Sequence, residues 1–148
     1  MKVKVKVPAT SANLGPGFDV AGLALTLYNT FTFELNEGGL NITGCPTQFC
    51  NEENLTYQAF SQAAQSCGLD FKGVNIHCES QVPYTRGLGS SSTCIVAGIV
   101  GAFAFKDKTD DRQEILELAT KIEGHPDNVA PAIFGGLTVS VMEEEQVL

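Results

Sequence analysis

The chain opens with a strict alternation of polar and apolar side chains. Val3, Val5 and Val7 are separated by lysines, and this period of two predicts a strand with one buried and one solvated face. The same period, rich in β-branched and aromatic residues, recurs later in the chain. It predicts four further strands, over residues 20–35, around 40–42, over 74–79 and over 137–141.

Helical spacing of apolar residues first appears after residue 50. Asn51 is followed by two acids, which suit the positive end of a helix, so a helix is predicted to begin there and to end at Gly68. Its buried face is predicted to consist of Phe60, Ala63, Ala64 and Cys67. Residues 90–105 form an apolar segment rich in alanine and glycine, which is typical of a tightly packed buried helix.

A third helix is predicted to begin at Asp110 or Asp111 and to end at Gly124, with Ile115, Leu118, Ala119 and Ile122 facing inward. The remaining long segments carry neither period and are predicted as loops, over residues 8–19, 83–89 and 125–134. The order of strands, helix, strand, two helices and strand is typical of an α+β layer architecture.

Composition and charge narrow the class of protein. The 148 residues are 43% hydrophobic and 18% charged, which is typical of a globular chain long enough to form one domain. A net charge of -8 argues against a nucleic-acid or anionic-membrane surface. No run of about 18 apolar residues occurs, and the first residues do not resemble a secretory signal. We therefore expect a soluble protein of the cytoplasm, with no nucleic-acid or membrane partner.

The five cysteines do not form a pattern typical of disulfides. Cys45 and Cys50 have a spacing that suits a metal, but no second pair and no nearby histidine completes a set of four ligands. We expect reduced thiols that pack as small apolar side chains.

The strongest chemical signal lies between the predicted strand at 74–79 and the helix at 90–105. Glycines there let the backbone approach a phosphate, the first turn of the helix offers unpaired N–H groups, and Arg86 adds a cation. The segment lacks the lysine of a Walker loop and the third glycine of the dinucleotide fingerprint. The alternative is a plain strand-to-helix turn with serine caps. The residues concerned are Pro83, Tyr84, Thr85, Arg86, Gly87, Leu88, Gly89, Ser90, Ser91, Ser92 and Thr93.

Two further segments place polar side chains in constrained loops. Asn13 and Asp19 stand in an otherwise small or apolar stretch, which can hold the amine or hydroxyl of a polar substrate or can be a structural turn. His125, Asp127 and Asn128 are close together next to a proline, where a histidine is more often structural than catalytic. Phosphoryl transfer needs mainly positioning and neutralisation of charge, and these loops offer groups of that kind.

These three segments resemble a known family. The sequence from Pro83 to Ser91 resembles the ATP-binding motif of the GHMP small-molecule kinases. The stretches Pro8–Asp19 and His125–Gly136 resemble the homoserine kinase family within that group. The resemblance covers nearly the whole chain and implies the GHMP fold for residues 1–148. That is an α+β domain with a mixed or antiparallel sheet and helices on one side, similar to a domain of a small-ribosomal-subunit protein.

The resemblance implies ATP-dependent, magnesium-dependent phosphorylation of the hydroxyl of L-homoserine, a step of threonine biosynthesis. Residues 83–93 would hold ATP, with Ser91 and Glu117 at the metal; Glu117 is chosen because it stands eight residues before His125. Asn13 and Asp19 would bind the amino-acid end of the substrate. His125 and Asn128 would line its pocket, with Asn128 near the reacting hydroxyl.

The same resemblance implies a longer protein, for which a homodimer is a common state, and whose second half supplies arginines for the substrate carboxylate. The alternatives are another GHMP kinase, of the mevalonate or sugar type, and a catalytically silent ligand-binding protein. The base is also open: Asp19 or Asp127 would deprotonate the hydroxyl, or the transfer would proceed without a protein base. Helix geometry opposes the role of Glu117, because this residue is turned about 150° from the buried face.

Overall fold

The computed structural model describes residues 1–12, 22–81, 90–143 and 146–147. Six strands and four α-helices occur in this part of the chain, with one short 3-10 turn at Thr47–Phe49. In chain order the elements are β1 (Lys2–Ala12), β2 (Gly22–Asn36), β3 (Leu40–Thr43), α1 (Leu55–Cys67), β4 (Gly73–Ser80), α2 (Ser90–Phe105), α3 (Arg112–Glu123), α4 (Val129–Phe134), β5 (Thr138–Glu143) and β6 (Gln146–Val147).

The strands form one mixed sheet in the order β3-β4-β2-β1-β5-β6. All neighbours are antiparallel except β3 and β4, which run parallel because α1 lies between them in the chain. The register places Val3 opposite Phe33 and Val5 opposite Phe31, so the apolar residues of adjacent strands share one face.

The helices cover that apolar face, and the other face is polar. Val3, Val5 and Val7 are buried, whereas the lysines between them are exposed, as their alternation predicts. Helix α2 contacts β1, β2 and β5, and α4 contacts β1 and β2. The predicted α+β fold with helices on one side of a mixed sheet is therefore confirmed.

Helix α2 lies close to its neighbours because its interior glycines have no side chain. A Cβ atom at Gly98 would lie 2.4 Å from the carbonyl oxygen of Thr56, and one at Gly101 would lie 2.7 Å from the Phe33 ring. The predicted tightly packed helix is confirmed, and this packing fixes where its first turn, at Ser90, meets the sheet.

Among the described residues, no helix is long and apolar enough to cross a membrane.

Helix ends follow the capping residues with one correction. Gly68 and Gly124 take positive φ angles of 76° and 99° and end α1 and α3 as predicted. Asp111 caps α3 by accepting the Glu114 N–H. The predicted start of α1 at Asn51 is wrong, because Asn54 is the N-cap and its Oδ1 accepts the Tyr57 N–H at 3.1 Å.

Two of the predicted loops contain regular structure. Strand β1 continues past Pro8 to Ala12, because a shift in register between Pro8 and Thr10 lets the ladder resume beyond a residue that has no N–H. Residues 129–134 form helix α4, whose Pro131 lies in the first turn, where an N–H would have no helical partner.

Candidate active site

The first turn of α2 holds the described part of the predicted phosphate segment. Ser91 is exposed, whereas Ser90, Ser92 and Thr93 are buried. Ser92 Oγ has no hydrogen-bond partner among the described residues. Ser91 is therefore the residue of this turn whose hydroxyl is accessible to a ligand, and Ser92 and Thr93 have only backbone groups to offer. The predicted residues Pro83, Tyr84, Thr85, Arg86, Gly87, Leu88 and Gly89 lie outside the described part of the chain.

A carboxylate that the sequence prediction did not include faces Ser91. Glu123, the last residue of α3, accepts a hydrogen bond from the Ser91 hydroxyl at 3.4 Å. Burial raises the pKa of the Glu123 carboxyl above its ordinary value, and nearby Asp127 raises it further. His125 and the bond from Ser91 act in the opposite direction. Glu123 is thus a partly desolvated acid among polar groups, which is a common property of functional carboxylates.

Glu117 lies elsewhere. Its side chain is exposed and accepts a hydrogen bond from Gln113 Nε2, one turn earlier on the same helix, at 3.2 Å. At about 100° per residue, Glu117 is turned about 160° from buried Ala119, whereas Glu123 is turned only about 40° from it. The structure therefore brings Glu123, and not the predicted Glu117, to Ser91. The angle could have excluded Glu117 from the sequence alone, whereas the contact of Glu123 with Ser91 is visible only in the folded chain.

The predicted residues after α3 form a linked group at the end of β1. Asp127 is buried and is hydrogen-bonded to His125 Nδ1, which fixes the orientation of the imidazole ring. The buried Thr10 hydroxyl donates to Asn128 Oδ1 at 2.8 Å. Because Thr10 occupies the amide oxygen of Asn128, the Nδ2 group is oriented away from it as a donor. The predicted residues Asn13 and Asp19 lie outside the described part of the chain.

A cavity of about 420 Å³ adjoins the first turn of α2 and was not foreseen from the sequence. Its wall is formed by β2, β3, β4, the segment between residues 45 and 54, and the starts of α1 and α2, and it is mainly apolar. Its size and lining suit a flat heterocyclic group. Residues that line it include Asn29, Phe31, Leu55, Thr56, Ser90 and Ser91.

Three cysteines line the same cavity as neutral thiols. Burial raises the pKa of Cys45 to about 11 and that of Cys78 to about 12, and it also raises the pKa of Cys94. All five cysteines are free, and Cys45 Sγ lies 3.1 Å from Cys50 Sγ. No group of three or more potential metal ligands occurs among the described histidines, cysteines and acids. The prediction of reduced thiols packed as apolar side chains agrees with this arrangement.

Together these groups surround the start of α2. An anion can approach the N–H groups of the first turn, a flat group can enter the cavity, and Ser91 with Glu123 offers two hard oxygen ligands of the type Mg²⁺ prefers. The His125 to Asn128 group follows Glu123 in the chain, and the charges of His125 and Asp127 both affect the pKa of Glu123. The arrangement suits phosphoryl transfer.

Known proteins share the sequence and the fold of this chain. A family model described as the GHMP kinases N-terminal domain matches residues 54–136, which is more than half of the chain. Homoserine kinase from Clostridium beijerinckii is 51% identical over 145 residues, which are 97% of this chain and 49% of that protein. The crystal structure of homoserine kinase from Cytophaga hutchinsonii has a TM-score of 0.77 and 28% identity, over 93% of this chain and 48% of that one. A solved structure from Listeria monocytogenes has a TM-score of 0.78 and 35% identity, over 99% of this chain and 52% of that one.

These matches cover nearly all of this chain but only part of each relative. The chain spans about half the length of the relatives it matches. The residues that match the family model include α1, β4, α2, α3 and α4. Ser91, Glu123 and the His125 to Asn128 group all lie within the matched range. By this match, and by the fold, the chain belongs to the GHMP kinase N-terminal domain family.

Proposed function

We propose that this chain is the N-terminal, ATP-binding part of a homoserine kinase. It would phosphorylate the side-chain hydroxyl of L-homoserine to give O-phospho-L-homoserine, a step toward threonine. The observation that carries the proposal is the contact between Ser91, at the start of α2, and half-buried Glu123, beside a cavity of suitable size. Two relatives that are 51% and 50% identical to this chain over 145 and 147 aligned residues carry the name homoserine kinase.

ATP is the proposed phosphate donor. The β- and γ-phosphates would lie against the first turn of α2 and the preceding segment, residues 83–89, where unpaired N–H groups favour an anion. The adenine would enter the mainly apolar cavity next to Ser90 and Ser91. Ser92 and Thr93 would contribute through the backbone, because their side chains are buried.

Magnesium is the proposed metal, held by Ser91 and Glu123. The residues fit this ion, since a hydroxyl and a carboxylate are hard oxygen ligands and a partly buried acid gains from a neighbouring cation. When bound, the ion would neutralise charge on the phosphate oxygens. We assign Glu123 and not Glu117 as the metal ligand, because the side chain of Glu117 is exposed and hydrogen-bonded to Gln113.

The acceptor would be bound by the groups at the end of β1 and after α3. Asn128 would donate from Nδ2 to the reacting hydroxyl, held in place by Thr10. Asn13 and Asp19 would bind the ammonium end of the amino acid. Asp127 is buried and bonded to His125, so it serves better to orient the imidazole than to act as a base. This favours a transfer without a protein base, in which positioning and charge neutralisation lower the barrier.

The described arginine is already engaged within the fold and is not available to bind the substrate carboxylate. Arg112 Nη1 donates to the Ile133 carbonyl oxygen at 2.8 Å, which makes this arginine a structural link between α3 and α4. Arg86 belongs to the proposed phosphate segment. We therefore propose that a second domain supplies the arginines that bind the carboxylate, in a cytoplasmic enzyme that is a homodimer.

The test is phosphate transfer from magnesium-ATP by the full-length gene product, with L-homoserine, L-serine and mevalonate as acceptors. Transfer to L-homoserine alone is expected. Transfer to mevalonate instead would support another GHMP kinase. Nucleotide binding without transfer to any acceptor would support a catalytically silent ligand-binding protein.

A further inference from the structure

A buried asparagine on β2 lies where the chain leaves the sheet toward the proposed phosphate segment. Asn29 is 2% exposed and lies on the core face of β2, two residues before buried Phe31. It is paired with Ser80, the last residue of β4, at the end of the β2–β4 ladder. The proposed phosphate segment, residues 83–89, lies in the chain between Gln81 and Ser90, so Asn29 is close to both of its ends.

Asn29 is hydrogen-bonded to both of these ends. Its Oδ1 accepts the backbone N–H of Gln81 at 2.9 Å, immediately before the segment. Its Nδ2 donates to the Thr93 hydroxyl at 3.0 Å, in the first turn of α2 immediately after the segment. Thr93 in turn donates to the carbonyl oxygen of Ser90 at 2.7 Å. One side chain therefore joins β2, the exit from β4 and the start of α2.

We propose that Asn29 is a positioning residue for ATP binding, which sets the separation of Gln81 and Ser90 and thereby the shape available to the segment between them. The inference rests on the proposed function, because it assumes that residues 83–91 hold the phosphates. The geometry explains why an amide is suited to this position. An amide offers an acceptor to Gln81 and a donor to Thr93 from two separate atoms, whereas a hydroxyl would have to serve both partners from one oxygen.

Loss of this link should affect nucleotide binding more than binding of the acceptor. The Thr93 hydroxyl would keep its bond to Ser90, and Gln81 Oε1 would keep its bond from the Tyr28 N–H of β2. The Gln81 backbone N–H and the first turn of α2 would both lose their bonds to Asn29. Displacement of a binding group by about 1 Å can lower a rate by up to about 10²-fold. The groups assigned to the acceptor, around Asn128, are bonded to Thr10 and not to this network.

The experiment compares Asn29→Ala and Thr93→Val with a matched control in the full-length gene product. The control is Asn36→Ala, which removes an asparagine from the other end of the same strand, where its Nδ2 donates to Asn75 Oδ1 at 2.7 Å. The kinetic readout is KM for ATP and KM for L-homoserine. The structural readout is hydrogen exchange at the Gln81 amide, without ligand.

We expect Asn29→Ala to raise KM for ATP by about tenfold, with KM for L-homoserine changed by less than about twofold. The Gln81 amide should exchange faster in Asn29→Ala only. Thr93→Val should also raise KM for ATP, and Thr93→Ser, which restores the hydroxyl, should return it toward the wild-type value. Asn36→Ala should leave both KM values unchanged.

Equal rises in both KM values, or an unchanged KM for ATP in Asn29→Ala and Thr93→Val, would overturn the proposal. If Asn29→Ala does not fold, the Thr93→Val and Thr93→Ser pair decides. Wild-type protein that binds magnesium-ATP without phosphorylating homoserine would contradict the acceptor assignment alone, and the dissociation constant for ATP then replaces KM in the same comparison. Wild-type protein that binds no nucleotide would overturn the proposed function and this inference together.

Discussion

The two ends of α3 use acidic residues in opposite ways. At the first end, Asp111 caps the helix and Glu114 lies in the first turn, where the helix dipole stabilises negative charge. At the last end, Glu123 is half-buried and lies where the dipole opposes negative charge, and burial raises its pKa. The first arrangement stabilises the fold and the second does not. A carboxylate kept in an unfavourable position beside Ser91 is therefore better explained by a ligand than by stability.

Replacing Glu117 and Glu123 of α3 separately should break this comparison most clearly. Glu123→Gln should lower kcat/KM for phosphate transfer by about 10²- to 10³-fold, because a charged ligand of the proposed metal is lost while the shape is kept. Glu117→Gln should change it by less than about twofold, because its partner is the surface residue Gln113. Steady-state kinetics of the two variants checks this, and similar losses in both would contradict the assignment.

Thr10→Val tests the part of the site that is proposed to bind the acceptor. The substitution keeps the shape of a fully buried side chain but removes the hydroxyl that holds Asn128 Oδ1. We expect kcat/KM for L-homoserine to fall about tenfold, with KM for ATP unchanged. Thr10→Ser, which keeps the hydroxyl, is the control and should retain most of the activity. A larger effect on ATP than on homoserine would show that Thr10 does not act through Asn128.

The stability of the fold should respond oppositely at the two ends of α3. Asp111→Ala should lower the free energy of unfolding by about 1 kcal/mol, because the Glu114 N–H loses its cap. Glu123→Gln should not lower it at neutral pH in metal-free buffer. Chemical denaturation of both variants measures this, and a large loss of stability in Glu123→Gln would mean that the carboxylate is structural.

The pH dependence of that difference has a defined sign. Since the folded-state pKa of Glu123 is raised above its ordinary value of 4.5, the carboxyl is protonated in both states below this pH and carries no penalty. As pH rises, the unfolded state ionises first, so wild-type protein loses stability until the folded-state pKa is passed. Glu123→Gln lacks this loss, and its advantage over wild type should grow across that range.

A further expected effect concerns the thiols of the cavity. With a pKa of about 11 for Cys45 and about 12 for Cys78, few thiolates are present at pH 8. Alkylation by iodoacetamide should be slower than that of a free cysteine by about 10²-fold, and ATP should slow it further if adenine occupies the cavity. Mass spectrometry of timed samples measures the rates. Rapid alkylation that ATP does not affect would contradict the placement of adenine in this cavity.

Much of the fold could be predicted because its determinants are local. The alternation at Val3, Val5 and Val7 gave the buried face of β1, and Gly68 and Gly124 gave helix ends, since each depends on a few neighbouring residues. The continuation of β1 beyond Pro8 could not be predicted in this way. It depends on the partner strand resuming the ladder after a shift in register.

The site was less accessible to sequence reasoning for two physical reasons. The choice of Glu117 relied on a fixed distance along the chain from His125, whereas contact with Ser91 depends on which side of α3 an acid occupies. The cavity and the Asn29 network depend on distant segments, which come together only in the folded chain. The roles assigned to Asn13, Asp19 and residues 83–89 remain predictions.

The most direct test is a crystal structure of the full-length gene product with magnesium and a non-hydrolysable ATP analogue. The account predicts a magnesium ion about 2.1 Å from oxygen atoms of Ser91 and Glu123, phosphates against the first turn of α2, and adenine in the cavity beside Ser90. A metal ion held by Glu117, or a nucleotide bound away from the start of α2, would contradict it.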